Sequence, residues 1–367
     1  MDFPQELLLP PKTIFRNGSS RDLAMETEEF GQRGLIIHGA SFSKNDRLKH
    51  VLEAFPASAR IAVHQRGSGE PSLDEITDTI KWGKAADVSW IAGIGGGSVL
   101  DLAKASAGLF HAKERPGFYQ DGGKLECPGI PFIAIPTTAG TGSEVTPNSV
   151  ITNREKKSKL SIRDKSFMAR KVLLDVGLLC GMPLEVLSYA AMDAFVQAYE
   201  SFISRNATWF TEALALKAMS LINSHILPAY HEGKEEHLSE LLLASYLGGI
   251  ALASSRLGVI HGLAHPLGAL YGFPHGLICS TLFIPSIKVN KGAMGEKYRI
   301  MCNVVGGDLE TRVKALLLEL GIKSPFNGKQ YIEDRKIIEE TLSSGSTDAN
   351  PRTITRKDVE FMLGEIF

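Results

Sequence analysis

The alternation of apolar and polar positions divides the chain into two textures. Up to about residue 180, short β-rich runs alternate with helical ones. Gly34-Leu35-Ile36-Ile37-His38 predicts a strand ending in Gly39-Ala40-Ser41, and Ile61 to His64 a second. Val88 to Ile94 and Phe132 to Ile135 predict two more. Ser72-Leu73-Asp74-Glu75 has capping-box spacing and opens a helix through about Lys84. Such alternation implies βαβ units. After Pro183 helical periodicity takes over, at 184–203, 208–230, 235–256, 293–305, 309–320 and 355–366. A short helix is expected around Glu333 to Leu342, and a faint strand signal sits at Leu282-Phe283-Ile284. The expectation is an α/β N-terminal Rossmann-like domain with a mostly parallel sheet, residues 1–182, and an all-α C-terminal domain, residues 183–367.

Composition narrows the function classes. Of 367 residues, 44% are hydrophobic and 22% charged, as in a folded soluble protein. Forty basic and forty-one acidic side chains leave a net charge of −1, so no field recruits nucleic acid or an anionic membrane. Cys127, Cys180, Cys279 and Cys302 lie far apart without CxxC spacing, which argues against a disulfide framework or a thiolate zinc site. The first residues lack a signal peptide's basic start and apolar core. The apolar region from about 241 to 273 is broken by Ser254, Ser255, Arg256 and histidines, and reads as buried helix instead of a membrane span. A reducing, cytoplasmic home is expected.

Chemistry concentrates in His261-Gly262-Leu263-Ala264-His265-Pro266-Leu267-Gly268 and its continuation to His275-Gly276. Three of the ten histidines fall within these residues, in an otherwise apolar or small segment. His261 and His265 share a helical face if the helix reaches them, and Pro266 and Gly268 threaten to end it. Imidazole ligates metals and titrates near neutral pH, so a metal or proton-transfer site competes with hydrogen-bonded core histidines. Upstream, Asp193 and Gln197 sit four apart in the apolar run Ala191 to Tyr199. A carboxylate buried there needs a partner, which a metal or a histidine would supply.

Two turns follow strands directly. Gly95-Gly96-Gly97-Ser98 precedes a helix carrying Asp101 and Lys104. Glycines at a helix N-terminus suit a phosphate, or else only a tight turn. Pro136-Thr137-Thr138-Ala139-Gly140-Thr141-Gly142-Ser143-Glu144 offers four hydroxyls and two glycines to a polar ligand, unless it is a flexible surface loop. Open α/β sheets bind ligands beyond such strand ends.

Together these motifs and the spacing of His261, His265 and His275 resemble the iron-containing (group III) alcohol dehydrogenase family over nearly the whole chain, including the Asn350-Pro351-Arg352 turn. The resemblance implies a divalent metal, Fe2+ or Zn2+, at Asp193, Gln197, His261 and His275, with His265 as a nearby proton relay. Spacing alone would pair His261 with His265; the choice of His275 comes from the family. Gln197 departs from the commoner histidine, and an amide oxygen is a weaker ligand. The resemblance also implies NAD(P), with pyrophosphate on Gly95, Gly96, Gly97 and Ser98 and contacts from Asp101, Thr137, Thr138, Thr141, Ser143 and Lys159. At the first strand end NAD-preferring relatives tend to carry an aspartate; here stand Gly39 and Ser41, with Ser43 and Lys44 beyond, which favours NADP. Expected chemistry is hydride transfer between the nicotinamide and a small aldehyde or primary alcohol, in a homo-oligomer. A dehydroquinate-synthase-like lyase, a polyol-phosphate dehydrogenase or a metal-poor nucleotide binder without turnover are the alternatives.

Overall fold

The computed structural model describes residues 3–156, 158–329 and 335–367. One compact unit, residues 8–138 and 143–180, carries the sheet. Its strands are β1 (Lys12–Phe15), β2 (Arg33–Gly39), β3 (Arg60–Arg66), β4 (Trp90–Gly95), β5 (Phe132–Pro136), β6 (Asn148–Asn153), β7 (Ser158–Arg163) and β8 (Lys171–Leu174). Six form a sheet in the order β1-β8-β5-β4-β2-β3, with every pairing parallel. β6 and β7 form a separate antiparallel hairpin. Helices cover the sheet, so β4 and β5 are apolar throughout, and Ile36, Trp90, Ala92, Ile94, Ile133, Ile135 and Leu173 are buried in one core.

Strand order decides where this unit binds. β2 pairs with β3 on one side and β4 on the other, so the chain reverses its direction of growth between β2 and β4. Ligands of open parallel sheets sit at such a switch, beyond the carboxyl ends. Gly39 ends β2 and Gly95 ends β4.

The other unit comprises residues 1–7, 139–142 and 181–367. Its principal helices, taking α1 as the first of this unit, are α1 (Leu184–Ile203), α2 (Trp209–Glu232), α3 (Glu235–Ser255), α4 (Val259–Tyr271), α5 (His275–Met294), α6 (Glu296–Val305), α7 (Leu309–Glu319), α8 (Arg335–Ser343), α9 (Gly345–Asp348) and α10 (Arg356–Ile366). Helix α3 is long and apolar enough to cross a membrane, yet most of its apolar stretch is buried, against α1 and α2. The helix expected from Glu333 begins at Arg335, and its first two residues lie outside those described.

Two local expectations are corrected. Pro266 does not stop its helix: α4 runs through it to Tyr271, and Gly272, at φ 70°, ends it. A helix-interior proline costs about 3 kcal/mol. Burial of Val259, Ile260, Leu263, Ala264 and Leu267 on the same helix offsets that cost. Leu282-Phe283-Ile284 is not a strand but the middle of α5. Cys279, Leu282, Phe283, Ser286, Ile287 and Asn290 are buried at helical spacing, so length and period override the β-rich composition.

The sheet edge carries a charge problem that its neighbours solve. Lys12 of β1 stands in register with Lys171 of β8. Buried Glu26 accepts from both ammonium groups, at 2.7 Å from Lys12 and 2.9 Å from Lys171. Burial alone would raise the Glu26 carboxyl, but the two lysines outweigh it and hold its pKa below the usual value. A depressed folded pKa contributes stability that is present above the unfolded value and lost as pH falls through the folded one. Glu26→Gln should therefore destabilise the protein by about 2–3 kcal/mol at neutral pH, less than a fully buried pair because Lys12 is half exposed. Urea unfolding at pH 7 and at acid pH tests this: the difference between wild type and variant should shrink on acidification.

Candidate metal centre

Three helices bring the chemistry together. On α1, Asp193, Gln197 and Glu200 lie at i, i+4 and i+7, on one buried face. On α4, His261 is buried and His265 half-buried one turn later. On α5, His275 opens the helix and Cys279 follows by one turn. The start of α5 comes so close to α1 that a Cβ at Gly276 would lie 2.3 Å from the Tyr189 carbonyl oxygen. Only glycine permits that approach.

The donor atoms face one another. His261 Nε2 is 3.5 Å and His275 Nε2 is 3.8 Å from Asp193 Oδ1. One ligand atom each from Asp193, His261, His275 and Cys279 all lie within 4.8 Å of one another. Asp193 Oδ1 and His261 Nε2 are buried without a hydrogen-bond partner. Unsatisfied buried polar atoms are costly, and converging lone pairs are what a cation satisfies. The residues present fit a divalent metal. Gln197 donates Nε2 to Asp193 Oδ2 at 3.0 Å, and its own Oε1 is buried and unpartnered. His265 stacks on His275, with ring centroids 5.6 Å apart and planes at 20°, beside the cluster of donors.

Glu200 organises the histidine. Its Oε2 lies 2.7 Å from His261 Nδ1, and its Oε1 accepts from the Ile260 N–H at 2.6 Å. A proton on Nδ1 leaves the Nε2 lone pair facing Asp193. Asn350, in the turn before α10, accepts from the Val259 N–H on its Oδ1 and pairs with Asn290. Two side chains distant in sequence thus cap α4, which has no cap of its own. Electrostatics follow. Burial works against charge on Asp193, yet His275 and His261 hold its carboxyl below the usual range. Burial also works against charge on His261, but Cys279, Asp193 and Glu200 around it raise its pKa well above an ordinary imidazole's. Burial pushes the Cys279 thiol up to about 12.

The glycine turns sit in the α/β unit. Gly96 caps the helix Gly97–Gly108 without any side-chain cap, so its first N–H groups stay available to an anion. A Cβ at Gly96 would lie 3.4 Å from Thr138 Oγ1, so only hydrogen fills the gap between the turn and that hydroxyl. This cradle fits a pyrophosphate. Thr137 binds back to the sheet, its N–H donating to the Gly95 carbonyl at 3.0 Å. Asp101 and Ser143 are engaged elsewhere: Ser143 Oγ donates to Asp101 Oδ1 at 2.5 Å, and Asp101 Oδ2 accepts from the Val150 N–H at 2.9 Å. Lys104, fully buried and brought down to about 8 by burial, donates to Ser143, Thr146 and the Asn148 carbonyl. Lys159 is held by Glu70 at 2.7 Å. Ser41 is exposed beyond Gly39. Thr141 belongs to the segment packed with the helical unit, where Gly142, at φ 60°, comes so near that a Cβ would lie 2.6 Å from Gly249 Cα.

Comparison with known proteins identifies the family. A model described as iron-containing alcohol dehydrogenase matches residues 10–176, and one for the family's C-terminal part matches residues 188–367. The chain belongs to the iron-containing alcohol dehydrogenase family. It is 33% identical to sulfoacetaldehyde reductase of Bilophila wadsworthia over 81% of this chain and 78% of that one. Alcohol dehydrogenase 4 of Saccharomyces cerevisiae is 29% identical, covering 98% and 97%. A solved alcohol dehydrogenase from Oenococcus oeni superposes with a TM-score of 0.92 at 26% identity, covering 99% and 100%. This iron-type alcohol dehydrogenase is an oxidoreductase of a family that uses NAD(P) and iron. Nothing in these relatives supports the lyase or polyol-phosphate alternatives.

Three residues escaped the sequence reading. Glu200 continues the Asp193–Gln197 face by one turn, and that spacing was a usable signal. Cys279 shares a face with His275 only once residues 275–294 are seen as one helix. Arg66 gave no local signal; it ends β3 in register with Gly39, and donates to Ser98 Oγ at 3.2 Å, bracing the glycine turn. Glu200→Gln keeps the shape but weakens the hold on His261 Nδ1. Metal affinity should fall by about 10–100-fold, read by competition with a chelator, whereas unchanged affinity would remove Glu200 from the site.

Proposed function

We propose that this dehydrogenase reduces small aldehydes to primary alcohols, reversibly, with NADPH preferred over NADH, and that Asp193, His261 and His275 hold the metal. The observation that carries the reading is the pair of buried, unpartnered atoms Asp193 Oδ1 and His261 Nε2, with His275 Nε2 beside them. When bound, the metal supplies Lewis acidity at the carbonyl and the nicotinamide supplies hydride.

The chain's own residues do the rest. Gly96, Gly97 and Ser98 present N–H groups to the pyrophosphate, and Thr138 offers its hydroxyl across the gap. Asp101, Ser143 and Lys104 shape these turns from beneath, because their polar atoms are already spent on each other. Glu200 keeps the His261 lone pair directed at the donors. A ring nitrogen of His265, half-buried beside His275, gives the substrate oxygen its proton in reduction and takes it back in oxidation. Gly39 places no carboxylate against a 2′-phosphate, which supports NADP. Four cysteines far apart in the sequence, without CxxC spacing, support a reducing, cytoplasmic home, and the family resemblance supports a homo-oligomer.

The test is oxidation of NADPH and NADH with short aldehydes, before and after chelation. Turnover should be lost with the metal, and NADPH should give the higher kcat/KM. His265→Asn should lower kcat by about 100-fold or more while metal content stays the same. Chelator-insensitive turnover, or a His265→Asn enzyme as fast as wild type, would contradict the assignment. Absence of turnover in metal-loaded protein with either cofactor would leave a nucleotide-binding relative.

A further inference from the structure

Gln197 leaves the metal centre one strong donor short of the set the family resemblance implies, and Cys279 stands where a donor is wanted. Its side chain is fully buried, one turn after His275 on α5, with Sγ 3.6 Å from His275 Nε2. A tetrahedral ion with metal–ligand bonds of about 2.0–2.3 Å sets neighbouring donors roughly 3.3–3.8 Å apart. Three of the six separations are 3.5 Å from His261 to Asp193, 3.8 Å from His275 to Asp193 and 3.6 Å from Cys279 to His275, and all six lie within 4.8 Å. The independent sign of a ligand is the pair of buried, unpartnered atoms, Asp193 Oδ1 and His261 Nε2, aimed into the same space.

We propose that the Cys279 thiolate is the fourth protein donor to the metal, and that Gln197 positions Asp193 instead of ligating. This rests on the metal reading above and names its ligand chemistry. The Gln197 amide donates to Asp193 Oδ2, which turns Oδ1 towards the histidines, while Gln197 Oε1, also buried and unpartnered, is a weaker donor than a thiolate. On binding, the S–H bond breaks, the proton leaves to water and the sulfur pair forms the bond to the ion, with no change of oxidation state. Coordination deprotonates such a thiol outright. Two anions, Asp193 and Cys279, with two neutral imidazoles balance a divalent ion within its ligand set, while Glu200 stays outside that set, hydrogen-bonded to His261. A thiolate also moves the preference towards softer ions, Zn2+ or Co2+, relative to an all-nitrogen-and-oxygen set.

The experiment is X-ray absorption of the zinc-loaded full-length protein, with the electronic spectrum of its cobalt form alongside. Wild type should show a sulfur scatterer at about 2.3 Å and a thiolate-to-cobalt charge-transfer band. Both should vanish in Cys279→Ser, with weaker zinc binding, and persist in Gln197→Ala. A wild-type spectrum of nitrogen and oxygen donors alone, or sulfur that survives Cys279→Ser, overturns the proposal while leaving the metal site intact. If wild type binds no ion, the metal reading itself falls. The wild-type spectrum decides the question even if Cys279→Ser does not fold.

Discussion

Two carboxylates buried on either side of one imidazole are the constraint around which the helical unit is built. Removing Asp193 and Glu200 from water costs several kcal/mol each unless every lone pair is met. Glu200 meets the terms with the Ile260 N–H and His261 Nδ1. Asp193 meets them only by half, through Gln197 on Oδ2. The rest of its requirement, and that of His261 Nε2, points into the shared space with His275 and Cys279. A proton on His261 satisfies the pair in the absence of metal, which is why its pKa rises; a cation replaces that proton and serves more donors at once. Convergence of α1, α4 and α5 is thus set by the electrostatics of the site as much as by apolar packing.

The α/β unit follows a different logic. Its binding end is set by topology, since the switch between β2 and β4 places two strand ends, Gly39 and Gly95, at the crevice such sheets use. The polar residues close to the second loop are mostly structural. Buried Lys104 gathers Ser143, Thr146 and Asn148, and Asp101 ties the loop to β6. A hydroxyl-rich loop read from sequence as ligand-binding is in part a loop whose hydroxyls hold its own shape.

Legibility varied with the physical cause of each feature. The central strands were plain because burial on both faces makes them uninterrupted apolar runs. β6 was not, because the side chains it buries include Ser149 and Asn153, which serve the polar network and invert the usual pattern. β1 is a four-residue edge strand whose lysine pairs with Glu26. Among the site residues, Asp193, His261 and His275 stood out as polar groups in apolar surroundings. Cys279 did not, because a buried cysteine resembles any small core residue, and its spacing from His275 has meaning only on a helix that the β-rich Leu282-Phe283-Ile284 obscured. Pro266 misled for a related reason: a local rule was overridden by the burial of the helix around it.

The most direct measurement is equilibrium dialysis of anaerobic, metal-free protein against Zn2+ or Fe2+, beside the double variant Asp193→Asn/His261→Ala. The account predicts stoichiometric binding by wild type that weakens as pH falls, because His261 must shed a proton to bind, and none by the variant. Wild-type uptake no greater than the variant's would contradict it, and would make the buried carboxylates and imidazoles a structural network with no ion to hold.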